Sequence, residues 1–211
     1  MKPLTFLAIL VLCSSAARAQ DASPAGPDLR WLPGEMGGLL ETLGVTAGRL
    51  ALSLGLGLLI GTALAALMRS SRRAESVLTP WLLLLLAIPW LLILISMNVV
   101  PGLGVRESTG VGVAALSCAV QVFALGRRKL EEKRETYLRR ALWYGFAAIT
   151  ASELLARSDG LGAKIRFYIL FTQYDHLLLY VLAAALLWAV SYLLGRLLVA
   201  AMGRTFLGRG T

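Results

Sequence analysis

Long apolar runs separated by short polar segments dominate the chain. Four runs are long enough to cross a bilayer and one is shorter; they cover residues 43–68, 77–100, 108–126 and 176–200, with the shorter run at 139–156. A hydrocarbon core of about 30 Å needs about 20 apolar residues in helical conformation. The pattern therefore predicts an all-α, polytopic membrane helical bundle with about five transmembrane helices, whose membrane domain extends over residues 43–203.

A separate leader precedes these runs. Residues 1–19 combine one cation, an apolar stretch too short to span and a small-x-small sequence, which are the features of a signal peptide cleaved after Ala19. A lipoprotein signal at Cys13 fits less well because Leu12 is bulky, and an uncleaved anchor is a further alternative. Residues 20–42, rich in Pro and Gly, are then expected to begin in the periplasm.

Basic residues fall mainly in clusters between the apolar runs. One cluster, Arg69–Arg73, follows the first run, and a second with seven basic and three acidic residues covers 126–140. Short loops rich in Lys and Arg stay in the cytoplasm. Five crossings then leave the N terminus periplasmic and the tail, 204–211, cytoplasmic, which predicts a multi-pass protein of the bacterial inner membrane.

Composition supports a lipid environment and argues against several other classes of protein. Of 211 residues, 57% are hydrophobic and 16% charged, with a net charge of +9. The basic clusters lack the interleaved aromatic residues of a nucleic-acid interface, so no nucleic-acid partner is expected. The two cysteines and the lone His176 form no disulfide framework or metal site, and no catalytic set or phosphate-binding loop occurs. We expect no enzyme activity, cofactor or metal.

Five residues within or near the predicted spans are candidates for a solute path or for contacts between helices. They are Arg49, Pro89, Asn98, Gln121 and Glu153. Polar groups are costly in hydrocarbon, and buried amides most often bond to neighbouring helices. Charged groups near span ends can also extend to water. Pro89 is expected to bend or break the second span because it removes a helical hydrogen bond.

Glycines in the first span form two pairs with a spacing of four. Gly44 and Gly48 form one pair, and Gly57 and Gly61 the other. This spacing lets helix backbones approach closely. Packing within the chain is favoured over contact between subunits.

Glu153 ends an apolar run and is followed by a glycine-bracketed turn. On one interpretation it ends a span at the periplasmic side, and Gly160 and Gly162 permit a reversal into an amphipathic segment before the last span, which Asp175 opens. On the other, Glu153 pairs with Arg157, four residues further along one helix. The residues leave both interpretations open.

The order of these segments resembles the permease subunits of bacterial binding-protein-dependent ABC importers, in the branch that serves nitrate, sulfonates and taurine. The similar stretches are 42–104 and 137–165, followed by a polar TQYDH and one final span. The positions that fit the family are Arg49, the turn at 69–73, Pro80, Pro89, Gly102 to Gly104, Glu153, Gly160 to Gly162 and Asp175.

The resemblance implies a path for a small solute such as an anion. It also implies an ABC ATPase subunit, a periplasmic solute-binding protein, and a homodimer or a heterodimer with a second permease. The cations Arg106, Arg157, Lys164 and Arg166 would give the outer face a cationic rim suited to an anion or to an acidic docking surface.

The chain departs from that family in the cytoplasmic passage between the third and fourth spans. Family members have a longer passage with a coupling helix, and this chain has only a charged segment there. Its candidate ATPase-facing residues are Arg127, Arg128, Lys129, Glu131, Glu132, Lys133, Arg134 and Glu135. Opposite charges three and four residues apart can hold such a segment helical in water without a partner. The alternative function is therefore a non-transporting, permease-derived scaffold or accessory subunit that anchors a periplasmic or membrane partner.

Overall fold

The computed structural model describes residues 29–100, 106–124 and 134–207. A 3-10 turn, Leu29–Trp31, precedes the α-helices of this part of the chain, and no strand occurs within it. The helices are α1 (Leu32–Ser70), α2 (Arg72–Ala87), α3 (Trp90–Val99), α4 (Glu107–Ala124), α5 (Arg134–Ala156), α6 (Leu161–Leu170) and α7 (Tyr174–Leu207). The all-α prediction is confirmed. The predicted signal peptide, residues 1–19, lies outside the described residues.

Three helices of the described chain are long and apolar enough to cross a membrane. They are α1, α4 and the Tyr174–Gly195 part of α7, and they correspond to the first, third and last predicted spans. The predicted run 139–156 lies within α5, which is less apolar because charged and hydroxyl side chains interrupt it. The predicted run 77–100 is divided between α2 and α3.

The division of the second predicted span falls at Pro89, as expected. α2 ends at Ala87, Ile88 is extended with φ −67° and ψ 127°, and α3 begins at Trp90. Proline has no N–H to donate, and its ring disfavours helical conformation in the preceding residue. The break is therefore a local consequence of one residue.

α1 begins earlier than the apolar pattern predicts. Its first residue is Leu32 rather than a position near 43, and Pro33 lies in its first turn. Proline is well suited there because its fixed φ matches the helix and the first N–H groups have no helical acceptor. The second half of the predicted periplasmic segment, 20–42, therefore belongs to the same helix as the first span.

α1 and α4 pack along a glycine seam. A Cβ atom at Gly57 would lie 2.7 Å from Cys118 Cβ, and one at Gly61 would lie 2.6 Å from Val122 Cβ. Carbon atoms pack best at about 3.5–4.0 Å, so only glycine allows this approach. The expected packing within the chain is confirmed for this pair. Residue numbers rise together along the seam, so α1 and α4 run in the same direction.

The other long helices alternate in direction. A Cβ at Gly110 in α4 would meet Ser152 in α5, and Trp143 in α5 contacts Trp188 in α7 edge to face with ring centroids 5.8 Å apart. The start of α4 thus lies beside the end of α5, so these two helices are antiparallel. α4 is the central helix: most of it is buried, whereas α1 and α7 are largely exposed.

The exterior of the bundle is apolar. Large apolar side chains are exposed on α1, α2, α3 and α7, among them Leu52, Leu59, Leu67, Trp81, Leu84, Leu92, Val99, Leu186, Leu193 and Leu197. Soluble proteins rarely expose a continuous apolar surface of this kind, whereas hydrocarbon solvates it well. The surface thus agrees with a protein embedded in a membrane.

Candidate functional site: a buried ion cluster beside an open groove

Arg49 is the centre of a buried ion cluster. Only 5% of its side chain is exposed, and it is bonded to three carboxylates from elsewhere in the chain. Its Nε donates to Glu107 at 2.9 Å, one terminal nitrogen donates to Glu153 at 2.9 Å, and the other donates to Asp159 at 2.6 Å. The terminal nitrogen that bonds to Glu153 also donates to the Asp159 backbone carbonyl at 3.4 Å. All three nitrogens of the guanidinium therefore donate, in four hydrogen bonds.

Glu153 is fully buried in the last turns of α5 and joins three helices. Besides Arg49, its carboxylate accepts hydrogen bonds from the Thr46 hydroxyl at 2.9–3.0 Å and from the Gly162 N–H at 3.0 Å. The Thr46 oxygen in turn accepts the Leu161 N–H at 2.9 Å. Free N–H groups at the start of α6 are thus satisfied by a carboxylate and a hydroxyl, and a negative charge is favourable at this end of a helix.

The two glycines after α5 are required by the buried carboxylate. Gly160 has φ +91°, a conformation that L side chains rarely adopt, and a Cβ there would overlap the Glu153 carboxylate. A Cβ at Gly162 would lie 2.5 Å from the Thr150 carbonyl oxygen. The predicted reversal is confirmed, and α6 follows it. The principal charged partner of Glu153 is Arg49 on α1, which neither sequence interpretation named.

Asp159, in the turn between α5 and α6, bridges two arginines. It accepts from Arg49 and, at 3.1 Å, from Arg157. Burial raises the pKa of Asp159, but hydrogen bonds from Arg49 and Arg157, together with their positive charges, outweigh burial and hold this pKa below its ordinary value. The side chain is 48% exposed, so the cluster reaches the surface here.

The cluster carries more negative than positive charge. Arg49 and Arg157 supply two positive charges, while Glu107, Glu153 and Asp159 supply three negative charges. Glu107 is 59% exposed, so the excess negative charge faces outward.

The expected cationic rim is smaller than the sequence suggests. Arg157 bonds to Asp159, and Arg166 donates to the backbone carbonyls of Leu154, Leu155 and Arg157 at 2.7–3.3 Å. Arg166 thereby satisfies carbonyls at the C-terminal end of α5, a common use of arginine. Two of the four rim cations therefore hold the turn together.

An open groove of about 370 Å³ borders the cluster. It is lined by Gly44, Val45, Gly48, Arg49, Leu52, Glu107 and Asp159. A Cβ atom at Gly44 or Gly48 would have nothing within 4 Å. The pair Gly44 and Gly48 is therefore not used for packing among the described residues, in contrast to Gly57 and Gly61.

The other candidate path residues lie away from the cluster. Pro89 separates α2 from α3, and Asn98 lies in α3 with its side chain outside the described part of the structure. Gln121 is buried in α4, and its amide oxygen has no hydrogen-bond partner among the described residues, so the expected bond between helices is not observed for this atom. Asp175 is exposed in the first turn of α7, as expected for a residue that opens the last span.

The candidate ATPase-facing segment lies mostly outside the described residues. Arg127, Arg128, Lys129, Glu131, Glu132 and Lys133 are not among them. Arg134 and Glu135 begin α5, but the structure does not describe their side chains.

Three members of the cluster were missed by sequence reasoning. Thr46, Glu107 and Asp159 are ordinary polar residues in the sequence, although Thr46 precedes Arg49 by three positions and therefore shares its helix face. That shared face was the available signal for Thr46.

Comparison with protein-family models, with curated proteins and with solved structures found no match to this chain. Within the described residues, no group of three or more His, Cys, Asp or Glu side chains is placed to hold a metal ion.

Proposed function

We propose that this chain is a permease-like subunit of an ABC-type importer in a bacterial inner membrane. It forms part of the translocation path for a small solute and works with a separate ATPase and a periplasmic solute-binding protein. One observation carries the proposal: Arg49 and Glu153, which lie in the two separate stretches that resemble the permease family, bond to each other across 104 positions. Gly160 and Gly162 of the same resemblance surround that bond.

Helix directions support five crossings. α1 and α4 run the same way, which suits α2 and α3 sharing one return crossing between them, and α5 returns again before α7. With the basic clusters in the cytoplasm, the N terminus is periplasmic and the C terminus cytoplasmic. The ion cluster then lies near the periplasmic end, where a delivered solute would arrive.

The charge of the groove refines the choice of solute. Arg49 is engaged within the chain, and the exposed groups at the groove are the carboxylates of Glu107 and Asp159. A negative opening concentrates cations and repels anions. The groove therefore favours a neutral or cationic solute at this position over the anion suggested by the family resemblance.

A second candidate function is a non-transporting membrane scaffold. The observation that favours it is the same cluster, because the four hydrogen bonds of one guanidinium fix α1, α4, α5 and the α5–α6 turn to one another. A fixed joint suits a subunit that anchors a partner. A homodimer or a heterodimer with a second permease is part of the transport proposal and is not required by the scaffold.

Copurification separates these two functions. A tagged chain is purified with its native membrane partners, and residues 127–133 are replaced by a neutral linker of equal length in a variant. Transport predicts that an ABC ATPase is recovered with the wild type and lost with the variant. The control neutralises Arg204 and Arg209 and keeps the ATPase. Recovery of periplasmic proteins without an ATPase would support the scaffold.

Cysteine labelling tests the topology on which both functions depend. Cys118 is buried and therefore a silent background thiol. We expect Ser158→Cys to react with an impermeant maleimide in cells with a permeabilised outer membrane. Ser71→Cys and Lys133→Cys should react only after the inner membrane is opened. The reverse pattern would contradict the orientation.

A further inference from the structure

The open groove beside the ion cluster lies near one boundary of the hydrocarbon layer. Arg49 and Arg69 on α1 are 20 positions apart, which is about 30 Å along a helix and equals the thickness of that layer. α4 begins at Glu107 and continues for 18 residues, or about 27 Å. Two helices therefore agree in placing the cluster and its groove where hydrocarbon gives way to lipid head groups.

The groove continues into an apolar strip on α1. Gly48, Leu52, Gly55 and Leu59 are spaced by four, three and four positions, so they share one face of the helix. Leu52 is 56% exposed and Leu59 is 68% exposed, and a Cβ at either glycine would meet no described atom within 4 Å. The strip extends about 16 Å from the groove into the layer. It belongs to the apolar exterior of the bundle and is long enough to hold part of an acyl chain.

The lining of the groove offers negative charge. Its charged members are Arg49, Glu107 and Asp159. Arg49 donates to both of these carboxylates and to the buried Glu153, so its positive charge is already matched. Glu107 is 59% exposed, and within the described chain only its Oε1 accepts a hydrogen bond. The exposed carboxylate therefore has room for a further donor, and a charged N–H group would bond to it most strongly.

The remaining cations at this end of the bundle are bonded elsewhere or lie beside the groove. Arg157 is bonded within the α5–α6 turn, and Arg166 donates to backbone carbonyls of α5. Arg106 and Lys164 are outside the groove lining, but Arg106 is exposed and directly precedes Glu107. A negative group next to an ammonium bound at Glu107 would therefore have a cation close to it. The two signs of charge are adjacent, as a zwitterionic head group requires.

We propose that the groove binds a zwitterionic phospholipid with a primary ammonium head group, such as phosphatidylethanolamine. Its ammonium donates to Glu107 and Asp159, and its phosphate lies toward Arg106. One acyl chain follows the strip from Leu52 to Leu59. This site does not depend on which of the two functions above is correct.

The lining distinguishes this lipid from two others. A quaternary ammonium, as in phosphatidylcholine, has no N–H to donate and is usually held by aromatic rings, which the described lining lacks. An anionic head group, as in phosphatidylglycerol, would meet the exposed carboxylates of Glu107 and Asp159 and be repelled. The charge and the N–H donors of the head group therefore set the preference.

The full chain in lipid nanodiscs tests the site. The nanodiscs contain equal amounts of phosphatidylethanolamine, phosphatidylcholine and phosphatidylglycerol, and native mass spectrometry counts each lipid retained by the released chain. We expect phosphatidylethanolamine to be retained over phosphatidylcholine by about fivefold, the effect of one exposed charge pair. Equal retention of these two lipids, or a preference for phosphatidylglycerol, would overturn the proposal.

Three variants locate the preference. Glu107→Gln keeps the size of the side chain and removes its charge, so both lipids should be retained equally. Gly48→Leu fills the groove from a Cβ position that meets no described atom, and it should have the same effect. The matched control, Asp175→Asn, changes an exposed carboxylate at the start of α7 and should keep the fivefold preference. A preference unchanged in Glu107→Gln would overturn the site.

A soluble amine carries the same ammonium chemistry without acyl chains. We expect free ethanolamine, equimolar with the lipid, to leave the retention of phosphatidylethanolamine unchanged, because only the lipid also contacts the apolar strip. Displacement of the lipid by ethanolamine would show that the groove binds a free amine and would overturn the lipid assignment.

Discussion

Two of the contacts that hold α1 in the bundle differ in their physics. In the first half of α1, Arg49 is bonded to three carboxylates, and further along the helix Gly57 and Gly61 pack directly against α4. Helices in lipid gain no hydrophobic energy by associating, so close packing and polar bonds must replace it. The ion cluster depends on every charge having a partner, whereas the seam depends on the absence of side-chain atoms. The ion cluster should therefore lose far more stability than the glycine seam when one group is changed.

Loss of Glu153 should have the largest effect. Glu153→Ala leaves the buried Arg49 without its innermost partner and the Gly162 N–H without an acceptor. Removing one member of a buried ion pair typically costs about 3–5 kcal/mol. We expect a loss of this size in the free energy of unfolding, measured by denaturant titration in detergent micelles.

Two controls isolate the pair. Glu107→Gln changes an exposed member of the same cluster and should cost less than about 1 kcal/mol. The double variant Arg49→Met with Glu153→Met should be more stable than Glu153→Ala, since an apolar pair leaves no buried charge. Equal losses for Glu107→Gln and Glu153→Ala would contradict the central place of Glu153.

Disturbing the seam should have an intermediate effect. Gly57→Ala and Gly61→Ala each place a methyl group against α4, where the overlap can be relieved only by separating the two helices. Overpacking of this kind costs about 1–3 kcal/mol. The same denaturant titration measures it, and Gly112→Ala, which has open space around its Cβ position, is the matched control. Stability unchanged in Gly57→Ala would show that the seam is not a close contact.

Acid should weaken the cluster through Asp159. Its lowered pKa means that the folded protein holds this carboxylate ionised more strongly than the unfolded chain does. The resulting stabilisation is present above the unfolded pKa of about 3.9 and is lost as pH falls through the lower folded pKa. Asp159→Asn should therefore lower the Tm at pH 7 and have less effect at pH 3. A Tm difference between the wild type and Asp159→Asn that is larger at pH 3 than at pH 7 would contradict the stabilising role of the ionised carboxylate.

The exposed pair, Gly44 and Gly48, should give the smallest effect and sharpen the contrast with the seam. Neither Cβ position meets another atom, so alanine removes only the conformational cost of glycine and should stabilise α1 by about 0.5–1 kcal/mol. If a second subunit packs on this pair, the added methyl groups would instead separate the two copies and reduce the yield of crosslinked dimer. Glutaraldehyde crosslinking in nanodiscs distinguishes these results.

The predictable features of this chain are those set by neighbours in the sequence. The break at Pro89, the turn at Gly160 and the close approach at Gly57 each follow from the backbone properties of one residue. The helices α1, α4 and α7 follow from the length and composition of their apolar runs.

The ion cluster was not predictable in the same way. Along the sequence, Arg157 is the cation nearest to Glu153, and a spacing of four favours that pair on an isolated helix. Arg49 lies 104 positions away and becomes the partner only because α1 packs beside the end of α5. Which of several cations meets a buried acid is decided by the arrangement of the helices, and local spacing carries no information about it.

The length of α1 has a mechanical consequence. Its 39 residues extend about 58 Å, while the hydrocarbon layer is about 30 Å thick. Even at the steepest common tilt, about 40°, the layer accommodates only about 26 residues of a helix. Three turns or more must therefore lie beyond the hydrocarbon layer, at one end of the helix or divided between both, as a continuation of the same helix. A force applied to the projecting end would be transmitted along the helix axis to the Arg49 cluster without passing through any loop.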